Sequence, residues 1–278
     1  MSTIQLDDGQ LWYEDRGTGP PLVFLHGGWQ RSESWAPQVE QFTDDYRVIT
    51  ADFRGHGQTG ATDSRRYSID LFVDDLEQLL SELDIENPIL AGLSLGGMVV
   101  QAYLDRHPDG ARGAVIGGPL QSMPPFDFPA SVKPFVSPVP AIAGMASTMG
   151  PRATFQSLLT GIRAITGRRW LTIDEGVRSQ TMDAIGVVTP KEYPKIFRAL
   201  YEFEPPTLSD IETPLLVLYG DHEAPMVKQQ GHRLAGTVPV GAIREISNAG
   251  HLVNQDAPGA FNAACKQFFG TLKQPVLA

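Results

Sequence analysis

The chain has 278 residues, enough to bury a full-sized core as one large domain or one domain with an insertion. Hydrophobic residues make up 42% and charged residues 19%, a balance that excludes an intrinsically disordered chain. The formal net charge of −10, with no basic run anywhere, excludes nucleic acid as a partner, because phosphate backbones are held by clustered Lys and Arg.

Residues Met1 to Asp8 lack the basic and apolar regions of a secretory signal, and no apolar run approaches the roughly 20 residues of a membrane span, so a cytoplasmic protein without membrane contacts is expected. Residues 3–16 read as a hairpin turning at Asp7-Asp8-Gly9. Leu22–Leu25 follows, a short wholly apolar run of the kind a strand buried on both faces requires. Val48–Ala51, Ile89–Leu93, Ala114–Ile116 and Leu215–Tyr219 repeat that pattern, and Ala242–Ile246 repeats it more weakly. Helical periodicity lies between them, over Asp70–Leu83 (acids near its start), Leu95–Arg106 and Pro258–Phe269. Strand and helix alternating after an opening hairpin predict a mostly parallel sheet with helices on both faces.

From about Leu120 to Pro206 the alternation stops. Prolines 124, 125, 129, 134, 138 and 140 punctuate its first part, and helix-like segments follow around Phe155–Ile165, Ile173–Ile185 and Tyr193–Tyr201. The stretch is too long for a structureless loop and is expected to form a helical lid over 120–206, inserted into a core of 1–119 and 207–278. Its Met and Phe side chains either line an apolar pocket or pack the lid onto the core. The single cysteine, Cys265, excludes an internal disulfide; its apolar surroundings predict a small buried hydrophobe, and no Cys/His cluster has metal spacing.

Gly92-Leu93-Ser94-Leu95-Gly96 stands between an apolar strand and a helix. In a sharp strand-to-helix turn a serine takes strained backbone angles, which only very small residues two before and two after allow without a clash. Its hydroxyl then sits at the positive end of the helix, and the Leu95 N–H can face a developing oxyanion. His26-Gly27-Gly28-Trp29, at the end of the Leu22–Leu25 strand, can supply a second N–H, from Gly28 or alternatively from Trp29, whereas His26 is expected to hold the loop. His251, in the loop after the last strand, is the candidate general base for Ser94; His56, His107, His222 and His232 are poorer rivals. An acid must orient that imidazole, and the turn Gly220-Asp221-His222-Glu223 offers two, which residue chemistry alone does not separate.

The serine–acid–histidine order, the glycine-framed Ser94, His26-Gly27-Gly28-Trp29, Asp52-x-Arg54-Gly55-x-Gly57 and Gly250-His251 together resemble the α/β-hydrolase superfamily over nearly the whole chain outside 120–206. The resemblance implies an α/β fold with a mostly parallel eight-stranded sheet and an inserted lid. In relatives the turn after the acid strand reads Gly-x-x-Asp, which puts Glu223, rather than Asp221, in the triad; Arg54 is then structural. Superfamily members that open epoxides or remove halogen use an aspartate where this chain has Ser94, so those activities are not expected. What the resemblance implies instead is hydrolysis of small, fairly apolar carboxylic esters through an acyl-enzyme, with no cofactor. A lactonase resembling the enol-lactonases and a cofactor-free perhydrolase are the alternatives within enzymes. A small-molecule receptor of the same fold is the alternative outside them.

Overall fold

The structure is a computed structural model that describes residues 2–123, 131–133, 135–166 and 170–272. The chain opens with the antiparallel pair β1 (Ser2–Leu6) and β2 (Gly9–Arg16), the hairpin that the sequence predicts. Then β3 (Pro21–Leu25), α1 (Ala36–Phe42), β4 (Arg47–Ala51), α2 (Ile69–Glu82), β5 (Ile89–Leu93), α3 (Leu95–Arg106) and β6 (Gly113–Gly117) follow. After a helical segment described below come β7 (Leu215–Gly220), α7 (Pro225–Thr237), β8 (Gly241–Ile246), the single turn α8 (Val253–Asp256) and α9 (Pro258–Phe269).

The eight strands form one sheet in the order β1-β2-β4-β3-β5-β6-β7-β8, parallel from β4 to β8. Every residue of β5, β6 and β7 is buried, which is why these strands read as unbroken apolar runs. The edge strand β8 buries only Ile246 fully, and this accounts for its weaker signal. Helix α2 starts one residue from its predicted position, with the Ser68 hydroxyl accepting the Leu71 N–H at 3.1 Å. The free Cys265 is fully buried, as expected.

Between β6 and β7 the described residues form helices and no strand: α4 (Val139–Thr166), α5 (Glu175–Val187) and α6 (Tyr193–Glu202). Helix α4 begins well before the predicted Phe155, because Pro138 and Pro140 sit at its start, where a missing N–H costs nothing. Gly150, at φ 82°, and Pro151 kink it into two arms. Prolines 124, 125, 129 and 134 fall outside the described residues. No helix of the described residues is long and apolar enough to cross a membrane.

The topology fixes where a ligand can sit. From β3 the chain moves to β4 on one side and then crosses to β5 on the other, so the loops leaving β3 and β5 diverge at the carboxyl edge of the sheet. Ser94 and Gly28 lie in those two loops.

Candidate active site

Ser94 joins β5 directly to α3 at φ 53° and ψ −110°, a conformation in which non-glycine residues are strained by about 1–3 kcal/mol. Two close approaches hold it there. A Cβ on Gly92 would lie 2.3 Å from the Gly96 carbonyl oxygen, and one on Gly96 would lie 2.1 Å from that of Leu25. The Ser94 N–H donates to the Gly117 carbonyl at 2.9 Å and the Gly96 N–H to that of His26 at 3.1 Å, so the turn is tied to both neighbouring strand ends. Leu95 is the first residue of α3, and its N–H has no acceptor within the helix.

Across the site, His251 and Glu223 are buried together, at 4% and 3% exposure. His251 Nδ1 lies 2.6 Å from Glu223 Oε2, while Oε1 of the same carboxylate accepts the Ala224 N–H at 2.7 Å. Asp221, the other acid of the turn, is exposed and accepts the Ala249 N–H at 3.1 Å. Burial pushes its pKa up, but the N–H groups of Ala249 and Asn248 outweigh this and hold it below the usual carboxylate range. Of the two acids between which the sequence leaves a choice, Glu223 is therefore the one bonded to His251. His222 is exposed, His232 meets the Tyr219 hydroxyl at 3.2 Å and His107 meets Glu77 at 2.7 Å.

The loop after β3 is fixed by two histidines used reciprocally. His56 Nε2, from the loop after β4, accepts the Trp29 N–H at 2.9 Å, and His26 Nε2 accepts the Phe53 N–H at 3.0 Å. Each ring therefore carries its proton on Nδ1 and donates to a carbonyl, His26 to that of Gly27 and His56 to that of Arg54, both at 2.8 Å. Burial, opposed by the bond to Gly27, pushes the His26 pKa down to about 4; burial and then the neighbouring His26 push that of His56 down to about 3. Both rings are neutral, and their role is to hold the loop. The Trp29 N–H is thus taken by His56 and the Gln30 N–H by the Gly27 carbonyl, at 3.1 Å; Gly28 lines the cavity beside them. Arg54 forms a two-pronged bond to Asp75, 2.6 Å on each arm, and also reaches Asp8; it ties the loop to α2 and the opening hairpin.

Ser94, His251 and Gly28 line one cavity of about 120 Å³. Its other walls are almost wholly apolar: Leu120 and Met123 from the segment after β6, Leu158 and Leu159 from α4, and Phe197 and Leu200 from α6. Leucines dominate where the sequence suggested Met and Phe; among the described residues Phe135 is 88% and Met149 49% exposed. Gln30 and Thr181 supply a polar patch, with the Gln30 amide donating to the Thr181 hydroxyl at 3.3 Å. Sequence reasoning misses two other residues at the site. Trp170 covers His251 with its ring, centroids 5.5 Å apart, and its carbonyl accepts the His251 N–H at 2.6 Å. Asp256 accepts the Gly250 N–H at 2.8 Å. An aspartate five residues beyond the histidine is the only trace of this in the sequence, and nothing in it names the partner segment.

Residues 22–264 match the model of the alpha/beta hydrolase family. A non-heme chloroperoxidase, CPO-A1, from Kitasatospora aureofaciens is 38% identical over 122 residues, which are 43% of this chain and 42% of that protein. The carboxylesterase YbfK of Bacillus subtilis is 25% identical over 254 residues, 90% of this chain and 80% of the relative. Among solved structures, the enol-lactonase from Burkholderia xenovorans superposes with a TM-score of 0.78 at 24% identity, over 97% of this chain and all of that one. A match to the family model that begins in β3 and ends in α9, on an eight-stranded sheet of this topology, shows that the chain belongs to the α/β-hydrolase family and is a hydrolase.

Proposed function

We propose that the protein hydrolyses carboxylic esters of small, fairly apolar molecules through an acyl-enzyme on Ser94. The observation that carries the proposal is the 2.6 Å bond between His251 Nδ1 and Glu223 Oε2, in a buried pair whose imidazole lines the same cavity as Ser94. An imidazole that donates to the carboxylate through Nδ1 keeps Nε2 as an acceptor, and in this reading Nε2 takes the Ser94 hydroxyl proton. The alkoxide oxygen attacks the ester carbonyl, and the N–H groups of Leu95 and Gly28 hold the resulting oxyanion. The protonated His251 returns its proton to the departing alcohol, leaving an ester on Ser94. Water then repeats the sequence, giving up a proton to His251 and releasing the acid. The Glu223 carboxylate stabilises each imidazolium. No cofactor enters. In the same reading residues 120–206 act as the lid that keeps water from the cavity.

Replacing Ser94 by Ala should lower turnover of a chromogenic short-chain ester by roughly 10³-fold or more with the fold intact. Unchanged turnover in Ser94→Ala would refute the proposal. The carboxylesterase relative supports an open-chain ester. A lactone fits the same steps with its alcohol tethered to the acyl group, as the name of the enol-lactonase suggests, and a panel of esters and lactones separates the two. The relative named a chloroperoxidase favours a second variant, in which hydrogen peroxide replaces water in the second half and a peracid leaves. Added peroxide should then divert the acyl-enzyme to peracid. A receptor would instead react once with a fluorophosphonate at Ser94 and turn over no ester.

A further inference from the structure

The loop carrying His251 does not stand alone. The His251 N–H donates to the Trp170 carbonyl at 2.6 Å, and the Leu252 N–H to that of Leu171 at 2.9 Å, so two consecutive residues of each segment pair side by side. Asp256 closes this contact from below. Its Oδ2 accepts both the Gly250 N–H, at 2.8 Å, and the Ile173 N–H, at 3.1 Å; its Oδ1 accepts the Asp174 N–H at 3.3 Å and the Thr172 hydroxyl. One carboxylate thus takes a proton donor from the residue before His251 and three more from the segment between α4 and α5, more than 80 residues away in sequence. Asp256 itself stands on a fixed base. It ends α8, whose buried Asn254 donates to the Ser34 carbonyl at 2.9 Å and to the Gln38 amide oxygen at 3.4 Å.

We propose that Asp256 is a positioning residue, which joins Gly250 to the Thr172–Asp174 segment so that the His251 imidazole and the Trp170 ring covering it are held as one unit. The inference rests on the reading of His251 as the general base. Four donors on one carboxylate are more than either segment needs for its own turn, and charge-assisted bonds of this kind are the stronger ones. The consequence is a division of the 120–206 segment into two mechanical parts. Its Trp170–Asp174 stretch belongs with the catalytic loop and stays put during turnover, so substrate entry must occur past other parts of the lid. Motion of this stretch would drag the general base with it, and a misplacement of about 1 Å can cost on the order of 10²-fold in rate.

The test uses the full chain with Asp256→Ala, Asp256→Asn and, as a control, Arg152→Ala. Arg152 bridges α4 and α5 through the Met182 carbonyl, at 3.1 Å, and the Asp183 carboxylate, at 2.7 Å, without touching the His251 loop. Asp256→Ala should lower kcat by on the order of 10- to 100-fold and leave KM within about twofold. Amide exchange at Gly250, His251 and Ile173 should accelerate together, and the far-downfield proton of the His251–Glu223 bond should broaden or vanish. Asn keeps one acceptor oxygen and must give up one pair of donors, so Asp256→Asn should fall between; it also serves if the alanine variant does not fold. Arg152→Ala should lose stability and keep kcat. The proposal is overturned if Asp256→Asn and Asp256→Ala keep kcat, or if kcat falls while exchange at Gly250 and Ile173 stays uncoupled. Failure of the esterase reading looks different: the wild-type protein would turn over no ester, and the exchange coupling would still be readable.

Discussion

Glu223 carries one methylene more than an aspartate would, and the structure shows where the extra length goes. The side chain folds back so that Oε1 takes the N–H of the next residue, Ala224, and this fixes Oε2 against His251. A carboxylate so placed does two things that its amide cannot. It selects the imidazole tautomer, and it offsets the positive charge that appears during proton transfer. Glu223→Gln should therefore lower kcat by as much as about 10⁴-fold, the loss typical of a wrong-tautomer variant. Asp221→Asn should stay within about threefold of wild type, because an amide oxygen can still accept the Ala249 N–H and His251 is bonded to Glu223 instead. Steady-state kinetics on one chromogenic ester decides both. Equal losses in the two variants would mean that the turn, rather than the Glu223 carboxylate, matters.

At the scale of elements, the paired loops after β3 and β4 make the fold acid-sensitive. His26 and His56 are neutral when buried, with pKa values pushed to about 4 and about 3 against 6.5 in an unfolded chain. Below pH 6.5 the unfolded chain binds protons that the folded chain still refuses, so stability is full above that pH and falls as the pH drops towards the folded values. For His26 alone this amounts to about 3 kcal/mol near pH 4. His56→Gln keeps an acceptor for the Trp29 N–H and cannot titrate, so its urea midpoint should change less steeply between about pH 7 and pH 4. A slope identical to wild type would contradict the lowered pKa of His56 in the folded chain. These histidines also mark how far the sequence was legible. Their loops, the parallel strands and the Ser94 turn are visible because burial on both faces and two glycines leave unambiguous residue patterns. Helix α1, Ala-Pro-Gln-Val-Glu-Gln-Phe, is not: seven residues with a proline and two glutamines carry no clear period. The choice between Asp221 and Glu223 depended on which way a tight turn aims each side chain, and the Asp256 contacts depend on backbone N–H groups, which every residue type shares except proline.

For the molecule as a whole, loops at the carboxyl edge of the sheet and the segment between β6 and β7 together wall the cavity that holds Ser94 and His251. The volume of about 120 Å³ and its leucine walls set a limit on the group that can be enclosed beside Ser94. A close-packed wall does not yield cheaply, and one methylene too many in a fitted apolar pocket is worth about 1–3 kcal/mol of discrimination. Turnover should therefore peak at short chains and fall steeply as either side of the ester is lengthened. Leu159 is a wall residue from α4, 6% exposed, and its truncation to alanine should open the cavity without disturbing Ser94, His251 or Glu223. The variant should lose about 2–5 kcal/mol of stability, as buried leucines do, while its optimum in kcat/KM moves to longer chains. Two series of esters read this out, one varied in the acyl group and one in the alcohol, and the series whose optimum moves identifies the group that occupies the cavity. If neither optimum moves while the protein is destabilised by the expected amount, Leu159 packs α4 against its neighbours without facing substrate, and α4 has to be given up as the element that measures chain length.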